Sequence, residues 1–322
     1  MSVGLGYHAS HEQFTPAELL DNVRAAEASG FDCVMSSDHI APWSERQGQS
    51  GFAWSWLGAA MQATRLPFGL ITVPCGWRYH PAITAQAAAT LAEMFPGRLA
   101  WLALGSGENL NEHVTGERWP TKDERNQRLD AGADIVRRLL KGETVTQRQP
   151  IMTDEARLYT LPETPPPLIA AALTPQTAER VAAWADGLLT VNQPRETLKK
   201  LVEAFRRGGG EGKPLYLQVH LSFAADDDTA RENAFDQWRA NAVSAAIAEA
   251  LKSPAEFDAA AQYVRREDMD QHVRISCDPG RQVGWIEEDL AMGFSEIYLH
   301  NVGRNQREFI EVFGAKVLER LR

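Results

Sequence analysis

Ser36-Ser37-Asp38-His39-Ile40-Ala41-Pro42-Trp43 sets a carboxylate, an imidazole and an indole directly after the apolar run Phe31 to Met35. If that run is a buried strand, these groups stand where α/β folds keep their chemistry, beyond the carboxyl end of the strand. An Asp-His pair alone is a weak signal, since a helix-capping Asp beside a surface His is spelled the same way. Other apolar runs, however, end in similar groups. His8 and Glu12 follow the first, Thr72 to Trp77 with Pro74 among them follow the third, and Gly105-Ser106-Gly107-Glu108-Asn109-Leu110-Asn111-Glu112 closes the fourth. His39 and Glu108 suit general acid-base transfer, one accepting a proton as the other supplies one, both tuned by burial. Glu12 is a further carboxylate within reach if the strand ends converge. Taken singly, each has a plainer role open to it: Glu108 as a helix cap, Glu12 facing solvent, Trp43 in a core.

The elements that must position these groups alternate along the chain. Strands are expected at Val3 to Tyr7, Cys33 to Ser36, Phe68 to Val73, Leu99 to Leu104, Leu168 to Ala171, Gly187 to Val191, Leu215 to Phe223 and Ile297 to His300. Helical patterns fall between them, at Ala82 to Phe95, Glu124 to Leu140, Thr177 to Ala185, Arg195 to Arg207 and Asn305 to Arg322. Thr15-Pro16-Ala17-Glu18, a capping Thr with an N1 proline and an acidic first turn, opens another that ends near Gly30. Eight strands with helical crossovers predict a (β/α)8 TIM barrel, one domain over 1–322, whose strand ends share one face. Ser37 to Phe52, Lys141 to Pro167 and Asp226 to Met269 break the rhythm. All three are expected insertions, the last two after strands four and seven, and the first and third are candidate lids. Gly208-Gly209-Gly210 reads as a turn before Leu215, because no helix follows it directly as a P-loop requires. Phe52, Trp54 and Trp56 read as helix packing, with Phe52 or Trp54 at the pocket edge.

Composition narrows the function classes. The net charge is -10, with no dense Lys/Arg patch, which argues against nucleic acid or an anionic membrane as partner. Small molecules are the expected partners. Cys33, Cys75 and Cys277 show no CxxC pairing, as expected of reduced thiols in a cytoplasmic protein. Neither a leader's apolar segment nor a run of about 20 apolar residues occurs. His8, Asp38, His39, Glu108, His220 and His300 offer metal-ligand chemistry, but strand one has no His-x-His and no short ligand spacing follows, so no metal is expected.

Gly6-Tyr7-His8-Ala9-Ser10-His11-Glu12-Gln13-Phe14, the stretches 37–43 and 105–112, Arg78-Tyr79-His80-Pro81, Asp186-Gly187, Leu299-His300-Asn301 and Asn305 to Phe309 occur in one order along the chain. Together they resemble the luciferase-like flavin and deazaflavin oxidoreductases, and within them the deazaflavin (coenzyme F420)-dependent glucose-6-phosphate dehydrogenases. The resemblance implies a luciferase-like barrel, commonly dimeric, with a tricyclic ring cofactor in its C-terminal mouth. Position by position, His39 resembles the family's proton-transfer histidine, Trp43 the indole beside the reacting carbon, Glu108 the acid facing the ring, and Glu12 a second base. Asp38, Ser106, Gly107 and Asn111 resemble cofactor contacts. Ile71-Thr72 matches the place of a non-proline cis peptide under the ring.

Departures from the family pattern carry equal weight. The sugar-phosphate clamp of two lysines and an arginine falls here near Pro194 or Arg195, on Ala259, and near His272 with Arg274 close by. Losing two such contacts costs on the order of 3 kcal/mol or more, which disfavours glucose 6-phosphate. The Gly-Gly turn for the cofactor phosphate is replaced by Ala172-Leu173-Thr174-Pro175-Gln176-Thr177, which still offers backbone N–H groups and two hydroxyls. This pattern resembles a side branch expected to use flavin mononucleotide (FMN), and the expectation leans slightly that way over F420. The expected activity is hydride exchange with an alcohol, hemiacetal or carbonyl. An FMN-dependent monooxygenase stays open, as do a non-catalytic flavin-binding protein and a metal-dependent barrel hydrolase. A homodimer and a separate reductase supplying reduced cofactor are the further expected partners.

Overall fold

A computed structural model describes residues 3–322, with Thr72 described by its backbone alone. Its strands are β1 (Gly4–Ala9), β2 (Cys33–Ser37), β3 (Phe68–Pro74), β4 (Leu99–Gly105), β5 (Val145–Gln147), β6 (Thr153–Ala156), β7 (Leu168–Ala171), β8 (Leu188–Val191), β9 (Leu215–Ser222), β10 (Arg274–Ile275) and β11 (Glu296–Asn301). Parallel pairing runs β9-β11-β1-β2-β3-β4-β7-β8, and β8 returns to β9 to close the barrel. These are the eight strands expected, with bounds shifted by a residue or two. Two further pieces were not anticipated. β10 extends the edge of β9 where β8 ends, and β5 pairs antiparallel with β6 inside the insertion after β4.

Helices start where the local chemistry dictates. Thr15 accepts from the Glu18 amide while Glu18 reaches back, and Thr121 with Glu124 repeats this box before the helix Lys122–Leu140. The helices Ala53–Ala63 and Pro279–Leu290 complete the outer layer. Gly209, with φ 106°, breaks the helix Arg195–Phe205 in a turn before β9, so the three glycines punctuate the chain as expected. Among the described residues no helix is long and apolar enough to cross a membrane.

Alternate residues of each strand face the barrel interior. Cys33, Met35, Trp101, Ala103, Ile169, Leu189, Tyr216 and Tyr298 pack there as one cluster. Trp101 lies so close to β3 that a Cβ at Gly69 would stand 2.1 Å from its ring. Large aromatics thus plug the lower barrel, and chemistry is confined to the upper, C-terminal end.

Candidate active site

Continuing the inward count of each strand brings Ser37 of β2 and His8 of β1 to the mouth, with Ser10 just after β1. Glu12 does not face solvent: it is 3% exposed. Its Oε2 accepts from the Ser10 hydroxyl at 2.7 Å and its Oε1 from the Ser37 hydroxyl at 2.7 Å. Oε1 also meets Nδ1 of His39. Burial alone would raise the Glu12 carboxyl, yet the charge and hydrogen bond of His39, with His8 and Ser10, hold it well below the usual carboxylate range. For His39 burial pulls the imidazole down, while the charge and hydrogen bond of Glu12, and then Glu108, outweigh it and leave the imidazole raised.

The other face of His39 looks across 3.6 Å from Nε2 to Glu108 Oε2. Glu108 occupies the N-cap position of the helix Asn109–Glu112 but makes no side-chain cap bond. Its Oε2 instead accepts from Asn111 Nδ2 at 2.9 Å, and Asn111 Oδ1 accepts from the Ile40 amide at 2.9 Å. Asn111, expected as a cofactor contact, is fully buried and joins the β4 loop to the β2 loop. Trp43 stands edge-on to His39 at 5.4 Å and edge-on to Phe257 at 5.3 Å. It is a wall of the site.

Asp38 is also fully buried. Its carboxylate accepts from Trp54 Nε1 at 3.2 Å and from the Tyr79 hydroxyl at 3.1 Å, and lies 3.7 Å from Arg78 Nη1. Arg78 donates from Nε to Glu112 at 3.1 Å and from Nη2 to the Asp38 carbonyl at 2.6 Å. Trp54 is thus tied to buried Asp38, whereas Phe52 is 54% exposed. Arg78→Met would strand two buried carboxylates, so unfolding by denaturant should show a loss of about 3 to 5 kcal/mol. A loss under about 1 kcal/mol would contradict this reading of the network.

On the β4 and β7 side the residues are small. Trp101 and Ala103 face inward, so Gly105 does too, and among the described residues a Cβ there would meet nothing nearer than the Gly107 nitrogen at 4.0 Å. Gly107 has φ 82° and is pressed against Trp77 and Glu112, where only glycine fits. Ser106 accepts from Lys122 Nζ at 3.0 Å. Pro74 is buried beside Gly105 on β3, and the β3–β4 ladder gains a residue between Leu70 and Val73, around half-buried Ile71. The Thr72 side chain, and the peptide expected to be cis at Ile71-Thr72, lie outside the described residues. Ala172 is buried and Leu173 exposed. Thr174 caps the helix Pro175–Val181 and bonds Thr177 Oγ1 at 3.0 Å. Open inward space beside Gly105, with the Thr174 and Thr177 hydroxyls beyond the end of β7, fits a flat ring carrying a phosphate tail.

The insertion after β9 packs over this mouth. Phe257 joins Leu110, Ala41 and Trp43 in one apolar cluster, and Asp258 accepts from the Ser44 hydroxyl at 2.6 Å. Arg274 donates to buried Asp289 through both guanidinium nitrogens, at 2.5 and 2.9 Å, Arg195 and His272 are exposed, and Ala259 has no charge. Among the described residues no three His, Cys, Asp or Glu side chains gather as a metal site.

The sequence reading gave no role to Ser10, Ser37, Arg78, Glu112 or Phe257. Two of them were findable: Ser10 and Ser37 each sit two residues before Glu12 and His39, on the inward count of their strands. Arg78 and Glu112 lie 34 positions apart, and no spacing signal links them.

The luciferase-like monooxygenase family model matches residues 2–288. The chain is 35% identical over 329 residues to an F420-dependent glucose-6-phosphate dehydrogenase of Nakamurella multipartita, covering 99% of this chain and 97% of the relative. A protein of the same name from Microbacterium testaceum is 34% identical, covering 98% and 97%. Among solved structures, an F420-dependent secondary alcohol dehydrogenase in complex with an F420-acetone adduct superposes with a TM-score of 0.92 at 31% identity, over 100% of both chains.

Proposed function

Since the chain belongs to the luciferase-like monooxygenase family, we propose that it is an F420-dependent oxidoreductase that interconverts a small uncharged alcohol and its carbonyl compound. The observation that carries this reading is the pair of contacts on His39, with Glu12 on Nδ1 and Glu108 facing Nε2. The slight preference for FMN drawn from sequence is replaced by F420, because the relatives sharing about a third of the sequence are named for F420. A sugar phosphate is disfavoured by the neutralised Arg274 and by Ala259. An apolar wall of Trp43, Phe257 and Leu110 suits a neutral substrate.

Coenzyme F420, when bound, supplies a deazaflavin ring that takes up hydride from the substrate carbon. Gly105, Ser106, Gly107 and Ile71 would hold the ring, and Ala172, Leu173, Thr174 and Thr177 its phosphate. Glu12, held in place by two hydroxyls and kept ionised chiefly by His39, fixes the His39 tautomer with the proton on Nδ1, leaving Nε2 free to accept the substrate hydroxyl proton. The imidazolium that forms is stabilised by the same carboxylate. Glu108, whose side chain is 39% exposed, stands between Nε2 and water and carries the proton onward. Trp43 and the insertion after β9 exclude water from the reacting carbon.

A pH profile tests the assignment. Alcohol oxidation needs neutral His39, so kcat/KM should rise with pH through an apparent pKa above the 6.5 of a free imidazole. Carbonyl reduction needs the imidazolium and should fall through the same region. In Glu12→Gln the raising charge is gone while burial remains, so the step moves to lower pH. A profile unmoved by that substitution would exclude Glu12 as the partner of His39.

A further inference from the structure

The mouth holds a second polar group that the proton path does not use. His8 on β1, His300 on β11 and His220 on β9 stand level on three neighbouring strands, since His300 pairs with His220 and Tyr7 with Leu299. Their rings follow at 4.3 Å and 5.5 Å, and Trp238, from the insertion after β9, covers His220 and His300 at 4.8 Å each.

Hydrogen bonds fix the state of one of them. Gln13 Nε2 donates to the Val302 carbonyl at 2.7 Å and to Gln237 Oε1 at 3.2 Å, so its Oε1 is an acceptor, and His300 Nε2 donates to it at 3.0 Å. His300 Nδ1 then accepts from Gln218 at 3.4 Å. His300 is thus saturated. His8 is not: it is 3% exposed, and its Nδ1 is buried without a partner. His220 is half-buried, and its side chain has no hydrogen bond within the described protein. A buried polar atom left unpaired is rare, and it marks a place where a ligand completes the bonding. Burial holds His8 down to about 4 and His220 to about 3, so both imidazoles are neutral near pH 7. Each therefore offers one donor and one acceptor, the complement of a hydroxyl group. His8 pairs with Met35 on β2, the strand that runs on to Ser37 and His39, and precedes Glu12 by four residues, which sets this group beside the reacting centre.

We propose that His8 and His220 form a subsite for a second, uncharged oxygen of the substrate, so that the enzyme acts on neutral diols or hydroxyketones in preference to simple alcohols. This rests on the alcohol-oxidising reading above. The test compares 2,3-butanediol with 2-butanol on the F420-loaded enzyme, by kcat/KM and, independently of turnover, by calorimetric binding. One satisfied hydrogen-bond pair predicts a preference for the diol of about 10-fold in each measure. His8→Leu and His220→Leu should bring that ratio to within about twofold of one, and His220→Gln, which returns a donor and an acceptor, should restore part of it. A wild-type ratio near one, or a ratio that both leucine variants keep, overturns the subsite. If neither alcohol reduces the cofactor while the binding difference persists and is lost in the variants, the oxidation reading fails and the subsite stands.

Discussion

His39→Ala lowers turnover at least about 100-fold, the usual lower worth of a positioned general base. The expectation follows from how His39 is built in. Nδ1 is committed to a buried carboxylate that two hydroxyls hold in place, and Nε2 points at the remaining carboxylate of the site. Among the described residues no other imidazole pairs with Glu12: His300 is tied to Gln13, His11 packs on Trp56, and the His8 Nδ1 has no partner. Steady-state rates of cofactor reduction, with cofactor affinity measured beside them, read this directly. Turnover within about tenfold of wild type would remove His39 from the proton path. Loss of cofactor affinity with an intact rate at saturation would make it a binding residue instead.

Gly105→Leu gives a folded protein that no longer takes up the cofactor. Gly105 ends β4 facing the mouth, does not require a positive φ, and its Cβ position has only a backbone nitrogen at 4.0 Å. The leucine Cβ meets no described protein atom nearer than 4.0 Å, and the rest of the side chain projects into the space assigned to the ring. Affinity for F420 should fall more than about 100-fold, since a clash of several carbon atoms cannot relax in a packed barrel. Thermal unfolding should stay within about 3 °C of wild type, a shift under 1 kcal/mol. Unchanged affinity would move the ring away from β4.

The barrel was legible because strands such as Leu99–Gly105 and Leu188–Val191 are short apolar runs, and several strands end in residues no core would choose. Glu108 illustrates what sequence left open and geometry closed. Its position is a helix N-cap, as the plainer reading had it, but its carboxylate turns away from the helix amides to Asn111 and His39. Glu12 likewise passed from an undecided carboxylate to a buried one once Ser10 and Ser37 were seen beside it. β10 escaped notice because two residues carry no periodicity, and the hairpin β5–β6 because proline and charge hid its pairing. The Arg78 network was illegible for another reason: its partners Asp38 and Glu112 come from loops after different strands, and only the closed barrel makes them neighbours. The expected loss of most of the clamp, by contrast, rested on Pro194 or Arg195, Ala259 and His272 standing at its positions. The structure adds that Arg274 is paired with Asp289.

The central claim is an F420 oxidoreductase working through His39, and one titration tests it most directly. Purified protein is titrated with F420 and, separately, with FMN, following the absorption of each chromophore, and the loaded protein is then given a small neutral secondary alcohol. The expected result is saturable binding of F420 at one per chain, bleaching of its oxidised band on adding alcohol, and no bleaching in His39→Ala. Tight binding of FMN with no uptake of F420, followed by alcohol-independent consumption of oxygen on reduction, would contradict it.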